Sequence, residues 1–176
     1  MPVFWLQTED HDFDEIRTCH LPPVGSERVA QSLCLAARPH EDRVSIAHRR
    51  LGEEVTAVIS SLTASLEALP YAREFLPLLS ASYRPEHTLS HAFARTLAAL
   101  FSDEGLLFLD PRRPAIAALA QGVFARAITE QAELAAVLSA QTARLAEAGF
   151  AEQIALRDNA TLCFYHHAVC GPRYRL

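Results

Sequence analysis

The stretch Leu106–Pro111, L-L-F-L-D-P, decides the fold class of this chain. Four consecutive apolar residues after Gly105 predict a short buried strand. Asp110 and Pro111 then predict a helix start, because aspartate caps helices and proline is accepted in their first turn. A strand followed directly by a helix is a βα unit, which indicates an α/β protein.

A second apolar run lies at the beginning of the sequence. Val3–Thr8, V-F-W-L-Q-T, predicts a buried strand that opens into a polar loop. Asp12 is predicted to cap the helix that follows, with Glu15 as the reciprocal partner of a capping box. The prolines of Leu21–Pro23 are predicted to end that helix.

The middle of the chain predicts a hairpin and then helices. Alternating apolar residues over 27–47 predict two strands around a turn at 38–42. After Gly52, apolar residues at spacings of three and four predict three successive helices, near 55–69, 71–82 and 88–101.

The last third of the chain is also rich in predicted helix. The alanine-rich stretch 114–147 predicts one helix of about 50 Å, because each helical residue adds about 1.5 Å. Residues 152–174 predict two short strands around a turn at 157–159. The sequence is therefore that of an α/β protein dominated by helix.

Composition excludes several classes of enzyme. Half of the 176 residues are apolar, which predicts one domain with a core of its own. All 16 basic residues are arginine, so a lysine Schiff base and a Walker A lysine are excluded within these residues. The six glycines are scattered, which excludes a glycine-rich dinucleotide loop and a G-x-S-x-G nucleophile elbow.

Charge and cysteine content predict the surroundings of the protein. The net charge is −5 without a block of like charges, which is not typical of a nucleic-acid or anionic-membrane surface. No apolar stretch is long enough to cross a bilayer, and no signal peptide is visible. We expect a cytoplasmic protein with four free thiols.

The densest polar cluster, Glu9–Asp12, follows the first predicted strand directly. Ligands of open α/β sheets bind at the carboxyl ends of strands, so this position favours a site. A histidine between carboxylates can act as a general acid or base, and His11 with Asp10 and Asp12 could also hold a divalent metal. The alternative is a solvated helix N-terminus whose acidic residues only complement the helix dipole.

Two further polar groups are weaker candidates. Arg84 and Thr88, in a turn between predicted helices, could bind an anionic group, although an exposed turn explains them equally well. The spacing of Cys163, His166, His167 and Cys170 invites a zinc site, but neighbouring residues of one strand point to opposite faces.

Several of these motifs together resemble the bacillithiol biosynthesis cysteine-adding enzymes, the BshC family. The most specific parts are P-V-F-W at Pro2–Trp5 and E-D-H-D-F at Glu9–Phe13. The resemblance covers essentially all 176 residues. The remaining positions that carry it are Tyr83–Pro85, Thr88, Phe93, Leu100, Phe101, Gly105–Pro111, Leu145, Gly149, Phe150, Gln153 and Arg173.

The resemblance implies a Rossmann-like core related to class I synthetases and nucleotidyl transferases. It assigns 1–26 and 102–176 to that core and 27–101 to a hairpin and a connecting helical insertion. It also implies a ligase that joins L-cysteine to glucosaminyl malate with ATP as the activating nucleotide, and no metal is expected.

The same resemblance implies roles for individual residues. His11, Asp10 and Asp12 are the expected catalytic residues. Substrate or nucleotide is expected at Glu9, Arg84, Thr88 and Asp110.

The resemblance also predicts that the chain is incomplete. The match suggests the central third of the family's enzymes, which also have a coiled coil, and we therefore expect the chain to be inactive alone. A partial Rossmann layer exposes a strand edge, which predicts a homo-oligomer or association through that edge. The alternatives are a non-catalytic helical association module and a metal-dependent hydrolase at Asp10, His11 and Asp12.

Overall fold

The protein consists of two compact units in a computed structural model that describes residues 1–23, 30–152, 154–157, 161–167 and 172–176. The first unit is built on Met1–Arg112. The second unit is built on Arg113–His167 and Arg173–Leu176.

Two parallel strands of the first unit bring the polar residues that follow each of them to the same edge of the sheet. Strand β1 (Val3–Trp5) pairs with β4 (Leu107–Leu109), with Phe4 opposite Phe108. The pairing continues past β1, since the amide of Leu6 donates to the carbonyl of Leu109 at 2.9 Å. Both predicted strands are confirmed, although β1 is shorter than predicted.

The segment after β1 folds differently from its prediction. Helix α1 (Phe13–Ile16) has only one turn, and strand β2 (Thr18–Leu21) replaces the rest of the predicted helix. β2 pairs antiparallel with β3 (Gln31–Cys34). The helix prediction was wrong here because pairing with a distant strand satisfies the backbone of 18–21 better than a local helix does.

The predicted hairpin over 27–47 is wrong in its second strand. Residues 24–29, which include its predicted start, lie outside the described part of the chain. The residues after the predicted turn form the 3₁₀ turn Ile46–His48. Their amides bond to the first strand end and not to a hairpin partner, because Ile46 donates to Asp10 O at 2.7 Å and Ala47 donates to Thr8 O at 3.2 Å.

Three helices confirm the helical periodicity of the middle of the chain. They are α2 (Glu54–Leu66), α3 (Ala72–Ser82) and α4 (Leu89–Leu100). One buried face of α2 and α4 meets the segment around Ile46, which holds that segment beside the sheet. The core consists of Leu35, Ile46, Leu51, Val55, Leu89 and Ala92.

The second unit contains two helices where the sequence predicted one. Helix α5 (Pro114–Thr129) is followed by Glu130, whose backbone angles are not helical, and α6 (Gln131–Glu147) begins at the next residue. Thr129 Oγ1 donates to the carbonyl of Ala125 at 3.0 Å, a side-chain bond that competes with regular helix geometry. Helix α5 begins at Pro114, as the alanine-rich stretch predicted, and its N-cap is Arg113 and not Asp110.

Two short strands end the second unit. β5 (Phe164–His166) pairs antiparallel with β6 (Arg173–Arg175), as the sequence predicted for this region. The predicted turn at 157–159 precedes both strands and therefore does not join them, and its last two residues lie outside the described part. No helix among the described residues is long and apolar enough to span a membrane.

Candidate active site

The candidate site lies at the carboxyl ends of β1 and β4. Because these strands are parallel neighbours, the residues that follow each of them meet at one edge of the sheet. Thr8 Oγ1 donates to Asp110 Oδ1 at 2.7 Å, and the amide of Arg112 donates to the same oxygen at 3.0 Å. Thr8 is only 2% exposed, so this contact is a buried link between the two strand ends.

His11 lies between two carboxylates at this edge. Its Nδ1 is 3.4 Å from Asp10 Oδ1 and 3.4 Å from Asp12 Oδ1. The amide of His11 also donates to Asp10 Oδ1 at 2.8 Å, which fixes the aspartate relative to the ring. All three side chains are partly exposed and can therefore meet a ligand from solvent.

This trio can perform two kinds of chemistry. A histidine flanked by carboxylates can accept and return a proton. The three side chains could also hold a cation, since one ligand atom from each lies within 4.8 Å of the others.

The loop around Ser45 is hydrogen-bonded to the backbone segment that carries the trio. Ser45 is fully buried, and its hydroxyl lies 2.9 Å from Nδ1 of His48. Nε2 of His48 lies 3.0 Å from Nη2 of Arg112. The loop therefore connects the end of β1 to the residues after β4.

A buried arginine keeps this loop in place. Arg49 donates to Glu41 Oε2 at 3.1 Å and to the carbonyl oxygen of Glu41, and its guanidinium lies 4.4 Å from the ring centre of Phe13. Burial lowers the pKa of Arg49, and the charge of Glu41 opposes that shift. The carbonyl of Arg49 accepts the amide of Leu89 at 3.1 Å, which ties the loop to α4.

The structure places the predicted residues in two groups. Glu9 is exposed and adjoins Asp10, while Asp110 lies at the neighbouring strand end. Arg84 and Thr88 lie in the turn before α4, where they bond to neighbours in the same region. Arg84 Nη2 is 3.4 Å from Nε2 of His87, and Thr88 Oγ1 accepts the amide of His91 at 3.2 Å.

Sequence reasoning missed Ser45, His48 and Arg112. Only two weak signals pointed to them: the i, i+3 spacing of Ser45 and His48, and the position of Arg112 just after a predicted strand end. The zinc candidate in the tail includes Cys170, which lies outside the described residues.

Among the described residues at this edge, Arg112 is the cation that could contact a nucleotide. Arg112 is suited to bind a phosphate, because its guanidinium donates from a fixed fork. Neither β1 nor β4 is followed by a glycine-rich phosphate loop in the sequence.

Comparison with known proteins shows which family this chain resembles. The model of the bacillithiol biosynthesis BshC family, N-terminal Rossmann-like domain, matches residues 1–176. A protein of Prosthecochloris aestuarii named "Putative cysteine ligase BshC" is 33% identical over 153 residues, which cover 87% of this chain and 27% of that protein. A protein of the same name from Koribacter versatilis is 32% identical over 93% of this chain and 30% of its own length. The Bacillus velezensis protein of that name is 29% identical over 99% of this chain.

The fold and the polar strand ends define a Rossmann-like α/β domain with more helix than sheet. The chain belongs to the BshC family. It spans less than a third of the length of these curated relatives, at 27%, 30% and 32%.

Proposed function

We propose that this chain forms the part of a cysteine ligase that contains the acid–base group, His11. The ligase would join the carboxyl group of L-cysteine to the amine of glucosaminyl malate. The observation that carries the proposal is the position of His11, 3.4 Å from each of two aspartates at the carboxyl ends of parallel strands. The relatives named as cysteine ligases provide the reaction class.

The chemistry of amide formation explains what His11 is needed for. The attacking amine must lose a proton as the carbon–nitrogen bond forms, and a carboxylate must first be activated. ATP is the expected source of that activation: the carboxylate would displace pyrophosphate or ADP from ATP, and the AMP or phosphate then bound to the acyl carbon would leave as the amine attacks. In the proposal His11 takes the proton of the amine, while Asp10 and Asp12 orient the ring and stabilise its positive charge.

The proposal treats this chain as insufficient alone. The relatives are more than three times as long, so further substrate contacts are expected from segments beyond the matched domain. A hydrolase that binds a metal at the same trio is less favoured, because the relatives carry the name of a ligase. Association through helices is a property that a ligase domain could also have.

The test replaces His11 in the native gene product that contains this sequence, whose boundaries are first fixed by intact-mass spectrometry. We expect His11→Ala and His11→Asn each to lower kcat by about 100-fold or more, the usual effect of losing a general base. His20→Ala is the matched control, because His20 is exposed on β2 and contacts Ser32. Circular dichroism and urea midpoints check that each variant is folded.

Ligation is measured by mass spectrometry with L-cysteine, glucosaminyl malate and ATP. Unchanged kcat in His11→Ala would contradict the acid–base role. Absence of ligation in the unaltered native product would contradict the ligase proposal itself.

A further inference from the structure

Ser45, His48 and Arg112 form a series of hydrogen-bonded side chains, and the donor-only guanidinium of Arg112 decides which atom donates in each bond. A guanidinium has only donors, so Nη2 of Arg112 donates to Nε2 of His48 at 3.0 Å. Nε2 must then carry a lone pair, and the ring proton is on Nδ1. Nδ1 donates to Ser45 Oγ at 2.9 Å. The two contacts together favour the tautomer of His48 that carries its proton on Nδ1.

Backbone hydrogen bonds hold the turn that carries Ser45 and His48. Ser45 is 0% exposed, and the amide of His48 donates to its carbonyl at 2.9 Å in the 3₁₀ turn. The next two amides, of Ile46 and Ala47, donate to the carbonyls of Asp10 and Thr8. The imidazole that contacts Arg112 is therefore held by the same backbone that carries the His11 trio.

Arg112 differs from the arginines that serve structure. Arg38, Arg49, Arg50 and Arg126 each form an ion pair with a glutamate. Within the described part of the chain, no carboxylate lies within 4.0 Å of the Arg112 guanidinium. Its guanidinium contacts the imidazole of His48, which orients the group.

Such an arrangement suits an anion. The guanidinium has five N–H donors, and His48 uses one of them. The amide of Arg112 donates to Asp110 Oδ1, so the residue is fixed at both its backbone and its side chain. A half-buried, oriented and uncompensated guanidinium binds planar carboxylates or phosphates through paired hydrogen bonds.

We propose that Arg112 is the anion anchor of this strand-end site and that His48 is its positioning residue. The ligand is a carboxylate or phosphate group of a small molecule. The proposal rests on the proposed function in treating this edge as the substrate site. Its test measures anion binding directly, so that the two proposals can fail separately.

The experiment is isothermal titration calorimetry of the full chain with two probes, L-malate and inorganic pyrophosphate. We expect Arg112→Ala to weaken binding of the anion by about 10-fold or more, as expected for loss of a charged hydrogen-bonding partner. Arg113→Ala is the matched control, because Arg113 is the adjacent exposed arginine, and we expect its change to stay within about twofold. Whichever probe binds in an Arg112-dependent way identifies the anion as carboxylate or phosphate.

Two substitutions at His48 separate positioning from general stability. Glutamine can place an acceptor near the position of Nε2, so we expect His48→Gln to bind the probe within about twofold of the unaltered chain. Asparagine reaches only the position of Nδ1, so we expect His48→Asn to weaken binding by about three- to tenfold while keeping the Ser45 contact. Urea midpoints for both His48 variants check that they are folded. Arg112→Lys is a further test of the anion site: we expect it to bind the probe more weakly than the unaltered chain, because lysine lacks the planar guanidinium with its paired donors.

The outcomes are decisive for the anchor. Equal affinity in Arg112→Ala and the unaltered chain, or no binding of either probe, would overturn it. Equal losses in His48→Gln and His48→Asn would overturn the positioning role. Arg112-dependent binding together with full activity in His11→Ala would retain the anchor and reject the acid–base proposal.

Discussion

At the scale of single residues, Thr8 shows how two strand ends that are distant in sequence are joined. Its hydroxyl donates to Asp110, which is 102 positions away, and its side chain is almost completely buried. A hydrogen bond to a carboxylate contributes more than one between neutral groups. Thr8 therefore fixes Asp110 and, through the same oxygen, the amide of Arg112.

Removing this hydroxyl tests the link. We expect Thr8→Val, which keeps the shape of the side chain, to lower the free energy of unfolding by about 1.5–3 kcal/mol. The reason is that Asp110 loses a buried donor while no cavity is created. Urea denaturation followed by circular dichroism measures the change.

The control for Thr8 is Thr56→Val, since Thr56 is exposed on α2. Its expected effect lies within about 0.5 kcal/mol, as for most surface substitutions. Equal losses at both positions would show that the Asp110 contact adds nothing.

At the scale of elements, the start of α4 explains one of the candidate residues without a ligand. Thr88 is the N-cap of this helix, and its hydroxyl accepts the amide of His91. The loop before it is also anchored, because the amide of Leu51 donates to the carbonyl of His87 at 2.8 Å. A cap and a ligand contact are different uses of one hydroxyl, and they respond differently to substitution.

The cap predicts a graded stability series at Thr88. We expect Thr88→Ala to lower the free energy of unfolding by about 1 kcal/mol and Thr88→Ser to lower it by about 0.3 kcal/mol or less, because serine also caps well. Urea midpoints measure both. A Thr88→Ala variant as stable as the unaltered chain would contradict the capping role.

The break between α5 and α6 shows the limit of helix prediction from local sequence. The alanine-rich sequence has no proline after Pro114 and favours a continuous helix over 114–147, yet helix α5 ends at Thr129. The only local signal is the pair Ile128 and Thr129, which are β-branched residues of lower helix propensity. Whether a helix ends at such a weak signal depends on packing that a propensity scale does not contain.

At the scale of the whole molecule, the sheet of the first unit has only two strands, and several of its apolar side chains are exposed to solvent. β1 and β4 form a two-stranded sheet, and Val3, Trp5 and Leu107 are each about half exposed, at 56%, 54% and 45%. A two-stranded sheet is marginal by itself, and exposed apolar strands favour association. The predicted association through this edge therefore keeps its physical basis.

Association should depend on this edge and on concentration. We expect the sedimentation coefficient of the chain to rise with concentration, and the variant Val3→Gln with Trp5→Gln to suppress that rise. Leu119→Gln is the control, because Leu119 is 82% exposed but lies on α5. Sedimentation velocity measures all three proteins over the same concentration series.

Two results would contradict the edge as the cause. One is a constant, monomeric sedimentation coefficient at every concentration. The other is suppression by Leu119→Gln and not by the strand variant, which would assign the association to α5.

The sequence by itself determined the features that depend on neighbouring residues. The strands β1 and β4, the helices α2, α3 and α4, and the polar run that contains His11 are all encoded within short windows of apolar spacing or charge. His11 also lies next to its aspartates in the chain, so its grouping with Asp10 and Asp12 required no knowledge of the fold. Local periodicity and adjacency are properties that a single sequence carries.

Only the tertiary structure decided the features that depend on distant partners. β2 replaced a predicted helix because it pairs with β3, and the loop of His48 lies at the site because its amides bond to the end of β1. His48 and Arg112 are 64 residues apart, and their contact exists only once β1 and β4 pair. Long-range pairing outweighs local preference where it satisfies more backbone groups and buries more apolar surface, and no short window of sequence reports that balance.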